Sequence, residues 1–382
     1  MDNAPERYLF LVSSSYGHLL PAIRLAHVLQ RHRKEVLFVT ARENQLLFDS
    51  YGIKCVAASN QPHPFLSTYD WYDAQVGVQQ YRFIRQVVEE YQPDTIIATP
   101  LVMPAFALAE TCNIPLVVLG YCEYLFPSPG DEKSSKQWRI ESITNHYNAL
   151  RELLGLAPVA ADPARSPLKG DKYLIRSVPQ FTAQKDLPST VEFVGSLLWE
   201  TQYINHELDR FVVHGRGRGR PLFFLQIGRL FEDRKLWPAL VQVLGRMPVD
   251  FIVDMGRSDY ITEHGEFPEN FYLHPFVPLS YVRDDVAGVI CGGQTTSVVS
   301  AIYYGKPVLG IPNSGDGAEV IQRIIGNGIG AGLFQQEDIR EENFMHFLRE
   351  IEKGRFADRL GCFQQYFRSY DEEAMLYERI AS

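Results

Sequence analysis

Near residue 290 an apolar run, Gly288-Val289-Ile290-Cys291, ends in Gly292-Gly293 and passes at once into Gln294-Thr295-Thr296-Ser297 and a helix-patterned stretch. Paired glycines let backbone approach a ligand closely, and hydroxyl residues opening a helix stand beside its free N–H groups and the positive end of its dipole. That chemistry suits a diphosphate, with Cys291, Gly292, Gly293, Gln294, Thr295 and Thr296 as contacts. The structural alternative is a tight strand–helix turn capped by threonine. Upstream, in Leu273-His274-Pro275-Phe276-Val277-Pro278, Phe276 is free to stack on a base and Val277 to offer backbone edges. Downstream, Asp316 in Asn313-Ser314-Gly315-Asp316-Gly317 is an acceptor for sugar hydroxyls. Arg229, just after the run Pro221–Ile227, is either a guanidinium for phosphate oxygens or a plain surface arginine.

A second set of candidates stands in the first half. Gly17-His18-Leu19-Leu20-Pro21 follows the apolar run Tyr8–Val12. An imidazole has the intrinsic pKa to take a proton near neutrality, so His18 reads as a general base or as a structural, hydrogen-bonded histidine. Phe65, Tyr69 and Trp71, with Tyr121, Glu123 and Tyr124, make two aromatic-rich loops. They are suited to an apolar or aromatic ligand, or equally to anchoring the loops on the core. Thr99 follows the run Thr95–Ala98.

Something must hold these groups in place. Tyr8–Val12, Glu35–Thr40, Thr95–Ala98 and Leu116–Leu119 read as short buried strands, with helical spacing over Ala22–Arg31 and Val78–Tyr91. The alternation restarts with strands Pro221–Ile227, Val249–Asp254, Gly288–Cys291 and Pro307–Ile311. Helices are expected over Lys235–Leu244, Thr296–Tyr304, Glu319–Ile325 and Glu341–Glu352. Two βα arrays predict two doubly wound α/β domains, each binding ligands at the carboxyl ends of its strands. Boundaries are expected at 1–205 and 206–365, with a helix over 366–382 free to return to the first domain. The run Gly215-Arg216-Gly217-Arg218-Gly219-Arg220 precedes a strand, whereas a phosphate loop follows one. It reads as a flexible, solvated loop.

Composition narrows the partners. A net charge of -9 argues against nucleic acid. Five scattered cysteines without CxxC spacing argue against a disulfide framework or structural zinc. No signal-peptide pattern opens the chain and no apolar run approaches the roughly 20 residues that span a bilayer, so a cytoplasmic protein is expected. Oligomeric state stays open, a homodimer included.

The ordered set FVP, CGGQTT, GKP and PNSGDG resembles the C-terminal signature of the family-one nucleotide-sugar glycosyltransferases of the GT-B fold, and GHLLP resembles their catalytic loop. The likeness runs from Tyr8 to about Gly332 and leans towards bacterial natural-product and macrolide-type enzymes. It implies two facing Rossmann-like domains with a cleft between them. The first would bind a small acceptor (Phe65, Tyr69, Trp71, Thr99, Tyr121, Glu123, Tyr124). The second, together with Gly17 of the first, would bind a UDP- or dTDP-hexose as co-substrate (Arg229, Phe276, Val277, Cys291, Gly292, Gly293, Gln294, Thr295, Thr296, Asp316). His18 would deprotonate the acceptor hydroxyl in an inverting displacement needing neither metal nor resident cofactor. The chain departs from the family at four places. Cys291 replaces the HGG histidine that contacts donor phosphate, Val299 an acid that holds ribose, Gly317 a glutamine, and Thr99 the aspartate that orients the catalytic histidine. Asp70, Asp73 and Glu123 are the candidate substitutes for that last carboxylate; a phenolic or enolic acceptor would need none. Two other readings are a same-fold lipid-linked sugar transferase or sugar-nucleotide epimerase, and a degenerate binding or partner-activating subunit.

Overall fold

The structure, a computed structural model, describes residues 6–58, 65–67, 70–120, 135–161, 167–182, 187–199, 203–226, 228, 236–256, 267–370 and 373–381. They divide into two compact units, one of Met1–Pro179, Ala183–Trp199 and Tyr370–Ser382, the other of Gln180–Thr182 and Glu200–Ser369.

The first unit is built on strands β1 (Arg7–Leu11), β2 (Glu35–Ala41), β3 (Cys55–Ala58), β4 (Thr95–Ala98), β5 (Leu116–Gly120), β6 (Lys172–Ile175) and β7 (Val191–Phe193). They form one parallel sheet in the order β3-β2-β1-β4-β5-β6-β7. Helix α1 (Tyr16–Arg31) joins β1 to β2, and α2 (Gln45–Ser50) precedes β3. Helices α3 (Ala74–Tyr91), α4 (Met103–Cys112) and α5 (Ser135–Leu153) complete its layers. The apolar runs are unbroken because both faces of the sheet are covered: Leu9 and Leu11 enter the core under α3, α4 and α5, while Tyr8 and Phe10 enter the core under α1. Strand order reverses between β1 and β4, so the loops leaving those two strands meet at the place where such sheets bind ligands.

The second unit repeats the plan. Helix α6 (His206–Gly217) leads into β8 (Leu222–Gln226); α7 (Leu236–Leu244), β9 (Asp250–Asp254), β10 (Phe271–His274), α8 (Leu279–Val282) and β11 (Gly288–Cys291) follow. Then come α9 (Thr295–Tyr303), β12 (Val308–Gly310), α10 (Gly315–Gly326), β13 (Gly330–Gly332), α11 (Glu341–Glu352) and α12 (Ala357–Tyr370). Its parallel sheet runs β10-β9-β8-β11-β12-β13 and reverses between β8 and β11. The last helix, α13 (Glu373–Ala381), belongs to the first unit, where Leu376 and Ile380 join the core around α1 and Tyr377 stacks on His32 at 3.7 Å. Among the described residues no helix is long and apolar enough to cross a membrane.

Two local expectations are corrected. Helix α1 starts at Tyr16, not Ala22, because Ser15 is extended (φ -79°, ψ 146°) and the chain coils immediately after it. Gly17 and His18 therefore lie in its first turn, not in a loop. The Gly/Arg run is largely exposed, as expected, but it is not a free loop. It is the end of α6 and the turn beyond it, folded onto the start of β9: Arg218 and Arg220 pair with the buried Asp250 at 3.2 and 3.4 Å, and Arg216 pairs with Asp285. Gly215 is required by contact, since a Cβ there would sit 2.4 Å from Asp250 Oδ2.

Candidate active site

In the first unit the chemistry gathers on the loop from β1 into α1. Pro21 has no N–H, so the Gly17 carbonyl four residues earlier loses its helical partner. Arg176, just past β6 and only 2% exposed, supplies one: its Nη1 donates to the Gly17 oxygen at 3.0 Å. The GHLLP turn is thus pinned from across the sheet by a cation absent from the sequence reading. The clue was available, since a proline in the second turn of a helix always leaves a carbonyl to be satisfied. His18, half-buried, occupies the third helical position of this turn.

Two further ties hold the loop. Thr99, 1% exposed, accepts the Ser13 N–H at 3.1 Å and lies 3.4 Å from the Ser13 hydroxyl, joining the ends of β1 and β4. Its hydroxyl serves the frame, and no carboxylate stands there. Ser14 donates its N–H to the Leu66 carbonyl at 2.9 Å, and Leu66 holds a left-handed backbone, φ 56°. For a leucine that conformation costs about 1–2 kcal/mol, and such strain gathers where a site needs an exact backbone.

Beside this loop opens a pocket of about 320 Å³, solvent at its mouth included, walled by Leu66, Trp71, Gln80, Val102, His146 and Leu150 among others. Trp71 packs on Tyr72 (3.8 Å) and edge-on to His146 (5.0 Å). Phe65 is not in the wall; it is buried in the core against Phe83. The candidate carboxylates are largely committed. Asp73 caps α3, accepting from the Gln75 and Val76 N–H groups at 2.9 and 3.2 Å. Asp70 accepts the Ser67 N–H at 2.8 Å and bonds the buried Gln80 amide. Tyr69, Tyr121, Glu123, Tyr124 and Arg229 lie outside the described residues.

In the second unit the Gly292-Gly293 turn is shaped by what packs against it. Gly293 has φ +86°, and a Cβ on it would lie 2.4 Å from the Gly317 carbonyl oxygen. A Cβ on Gly317 would in turn lie 2.4 Å from the Gly292 oxygen. Gly317 thus replaces the expected glutamine for a steric reason: the first turn of α10 rests directly on the glycine pair. In consequence the N-termini of α9 and α10 converge. The first turn of α9 carries no acidic residue; Thr295 and Thr296 are half-buried there and Ser297 is buried. Ser314 caps α10, accepting the Gly317 N–H at 3.2 Å, and Asp316 stands exposed beside it. Two dipole ends at one spot favour an anion more than either alone.

Cys291 belongs to the frame beneath. It is fully buried, its carbonyl accepts the Ile311 N–H at 2.8 Å, and burial pushes its thiol up to about 12, so it stays neutral. Val299, where an acid would hold ribose, is buried as well. Phe276 is half-buried, and its carbonyl (2.8 Å) and its N–H (3.3 Å) both face His274 Nδ1. The Val277 N–H is taken by Asp254, a residue the sequence reading passed over. Asp254 ends β9, is 1% exposed, and also accepts from Gln226 Nε2 (2.8 Å) and the Gly256 N–H (3.1 Å). Burial raises its carboxyl to about 7 despite those donors. It holds together the loops that leave β8, β9 and β10.

No family model matches the chain. It is 24% identical over 345 residues to a PGL/p-HBAD biosynthesis rhamnosyltransferase of Mycobacterium bovis (strain BCG / Pasteur 1173P2), covering 81% of this chain and 73% of that one. Among solved structures it resembles the spinosyn rhamnosyltransferase SpnG complexed with thymidine diphosphate. The TM-score is 0.72 at 17% identity, over 98% of this chain and 100% of that one. The glycotransferase of kitacinnamycin is equally similar, with TM-score 0.72 and 17% identity over 98% and 99% of the two chains. The fold is GT-B, and the named relatives are glycosyltransferases.

Proposed function

We propose that this chain, a glycosyltransferase of the GT-B fold, moves a hexose from a nucleoside diphosphate to a hydroxyl on a small, partly aromatic acceptor, with inversion at the anomeric carbon. The observation that carries the reading is the convergence of α9 and α10 on Gly292, Gly293 and Gly317 at the reversal point of the second sheet. A thymidine diphosphate in the similar spinosyn enzyme, and a rhamnosyltransferase among the relatives, favour a dTDP-deoxyhexose donor.

The roles follow from the chemistry. The acceptor hydroxyl gives its proton to the His18 imidazole as its oxygen bonds to the anomeric carbon. The bond from that carbon to the diphosphate breaks, and its electron pair leaves with the phosphate, where two helix ends and Thr295 and Thr296 stabilise the charge. Phe276 stacks on the base and Asp316 accepts from sugar hydroxyls. The donor sugar nucleotide is a co-substrate, and the scheme draws on no resident cofactor. Because Thr99 and Asp73 are committed to the frame, an acidic acceptor such as a phenol or enol fits best, and the Trp71 and His146 wall suits a flat ring.

His18→Ala tests the reading. Positioned acid–base groups are worth about 10²–10⁴-fold, so turnover should drop by that factor while calorimetry finds donor affinity within about twofold of wild type. Retention of more than about a tenth of wild-type turnover would remove His18 from the role of base.

A further inference from the structure

We propose that the Gln294 carboxamide is the side-chain donor to the nucleotide's diphosphate, the task that a histidine at position 291 has in the family this chain resembles. The proposal rests on reading the Gly292-Gly293 turn as the diphosphate site.

Cys291 cannot perform that task. Its side chain is fully buried, and its sulfur receives the Gly293 N–H. Gln294 stands three residues on, at the N-cap of α9, where a side chain usually folds forward to satisfy the helix's own N–H groups. Here it makes no such bond. It folds back, and its Oε1 accepts the Gly292 N–H at 3.1 Å. That contact fixes which end of the amide is which: the oxygen faces the backbone and the two Nε2 hydrogens face away from it.

Nε2 then lies over two glycines. A Cβ built on Gly228 would be 2.6 Å from it, and one built on Gly292 would be 2.7 Å from it. Gly228 is the second residue after β8, and Gly292 directly follows β11. These are the two neighbouring strands between which the order of the sheet reverses. The amide nitrogen therefore sits in the crevice of that reversal, beside the converging ends of α9 and α10. Any side chain at 228 or 292 would expel it. Neither backbone position carries a side chain to crowd the carboxamide. A neutral amide also donates without taking up a proton, so phosphate binding through it carries no histidine titration.

Gln294→Glu separates a ligand role from a structural one. Glutamate keeps the size and the oxygen that accepts the Gly292 N–H, but it presents a second oxygen where Nε2 was. By calorimetry with dTDP and UDP, affinity should fall by about thirtyfold or more, since a hydrogen bond to a charged group is lost and a like charge gained. Thymidine and uridine should bind as before, and the thermal midpoint should stay within about 2 °C. Gln294→Met, of similar shape and uncharged, should lose about tenfold on the diphosphates alone. Diphosphate affinity within about threefold of wild type in both variants, or a parallel loss for nucleosides, would overturn the proposal. Wild-type protein that binds neither diphosphate would instead overturn the reading of the loop on which it rests.

Discussion

The second unit contains two glycine-rich stretches of similar length, Gly215–Arg220 and Gly292–Thr296, and they use their glycines in different ways. In the first, Gly215 makes room for a carboxylate of the protein itself: Asp250, held by Arg218 and Arg220, fills the space a side chain would need. The cations pair with the protein's own carboxylates, and the stretch closes a helix. In the second, Gly292 and Gly293 make room for backbone and for the Gln294 amide, and the stretch opens a helix whose first turn carries no acid. Glycine content is the same kind of signal in both. What separates them is order along the chain: helix, glycines, strand in one case and strand, glycines, helix in the other. Only the latter presents N–H groups outward at a strand's carboxyl end.

Substitutions can break or sharpen this contrast. The largest effect is expected from Gly293→Ala, which meets both a left-handed backbone and the Gly317 backbone at 2.4 Å, neither of which can yield without moving α10. Calorimetry should find nucleoside diphosphate affinity lower by about a hundredfold, with a lower thermal midpoint as well. Gly215→Ala comes next. Its Cβ meets the pinned Asp250 carboxylate, and chemical denaturation should reveal a loss of about 1–3 kcal/mol. Diphosphate affinity measured on the folded protein should not change. A drop of more than about threefold there would mean that the Gly/Arg turn takes part in ligand binding, and the contrast would fail. The smallest effect belongs to Gly217→Ala. Nothing lies within 4 Å of a Cβ at this helical position, so the same denaturation curve should shift by at most about 1 kcal/mol, towards greater stability.

How much of this was legible in the sequence depends on distance along the chain. Runs such as Phe10–Val12 and Leu222–Leu225, apolar without alternation, announce strands covered on both faces, and their repetition announces two α/β units. Strand β13 was invisible because Gly330-Ala331-Gly332 has no β-branched or aromatic residue; it exists because its neighbours β12 and α10 leave a slot only small residues fill. A Cβ on Gly330 would meet the Val308 oxygen at 2.1 Å. The candidate site was legible as motifs, each of them local. Its internal bracing was not, because the braces are long-range: Arg176 reaches Gly17 across 159 residues and Thr99 reaches Ser13 across 86. The Gly/Arg run was read as a loop for the same reason, since Asp250, the carboxylate that Arg218 and Arg220 share, lies 30 positions beyond Arg220.

The contact between Gly293 and Gly317 has one more consequence, for how the chain can change. Each glycine is bare because the other's backbone occupies the space, so the two positions behave as one character spread over two letters. A side chain gained at 317 would push α10 off the turn, and the effect of any replacement at 293 would then be read against a different neighbour. Effects at the pair cannot add, and neither order of single steps leads smoothly from this arrangement to one with a glutamine at 317. The loop and the helix would have to move together, which makes the compact turn a one-way commitment, difficult to reverse by isolated substitutions.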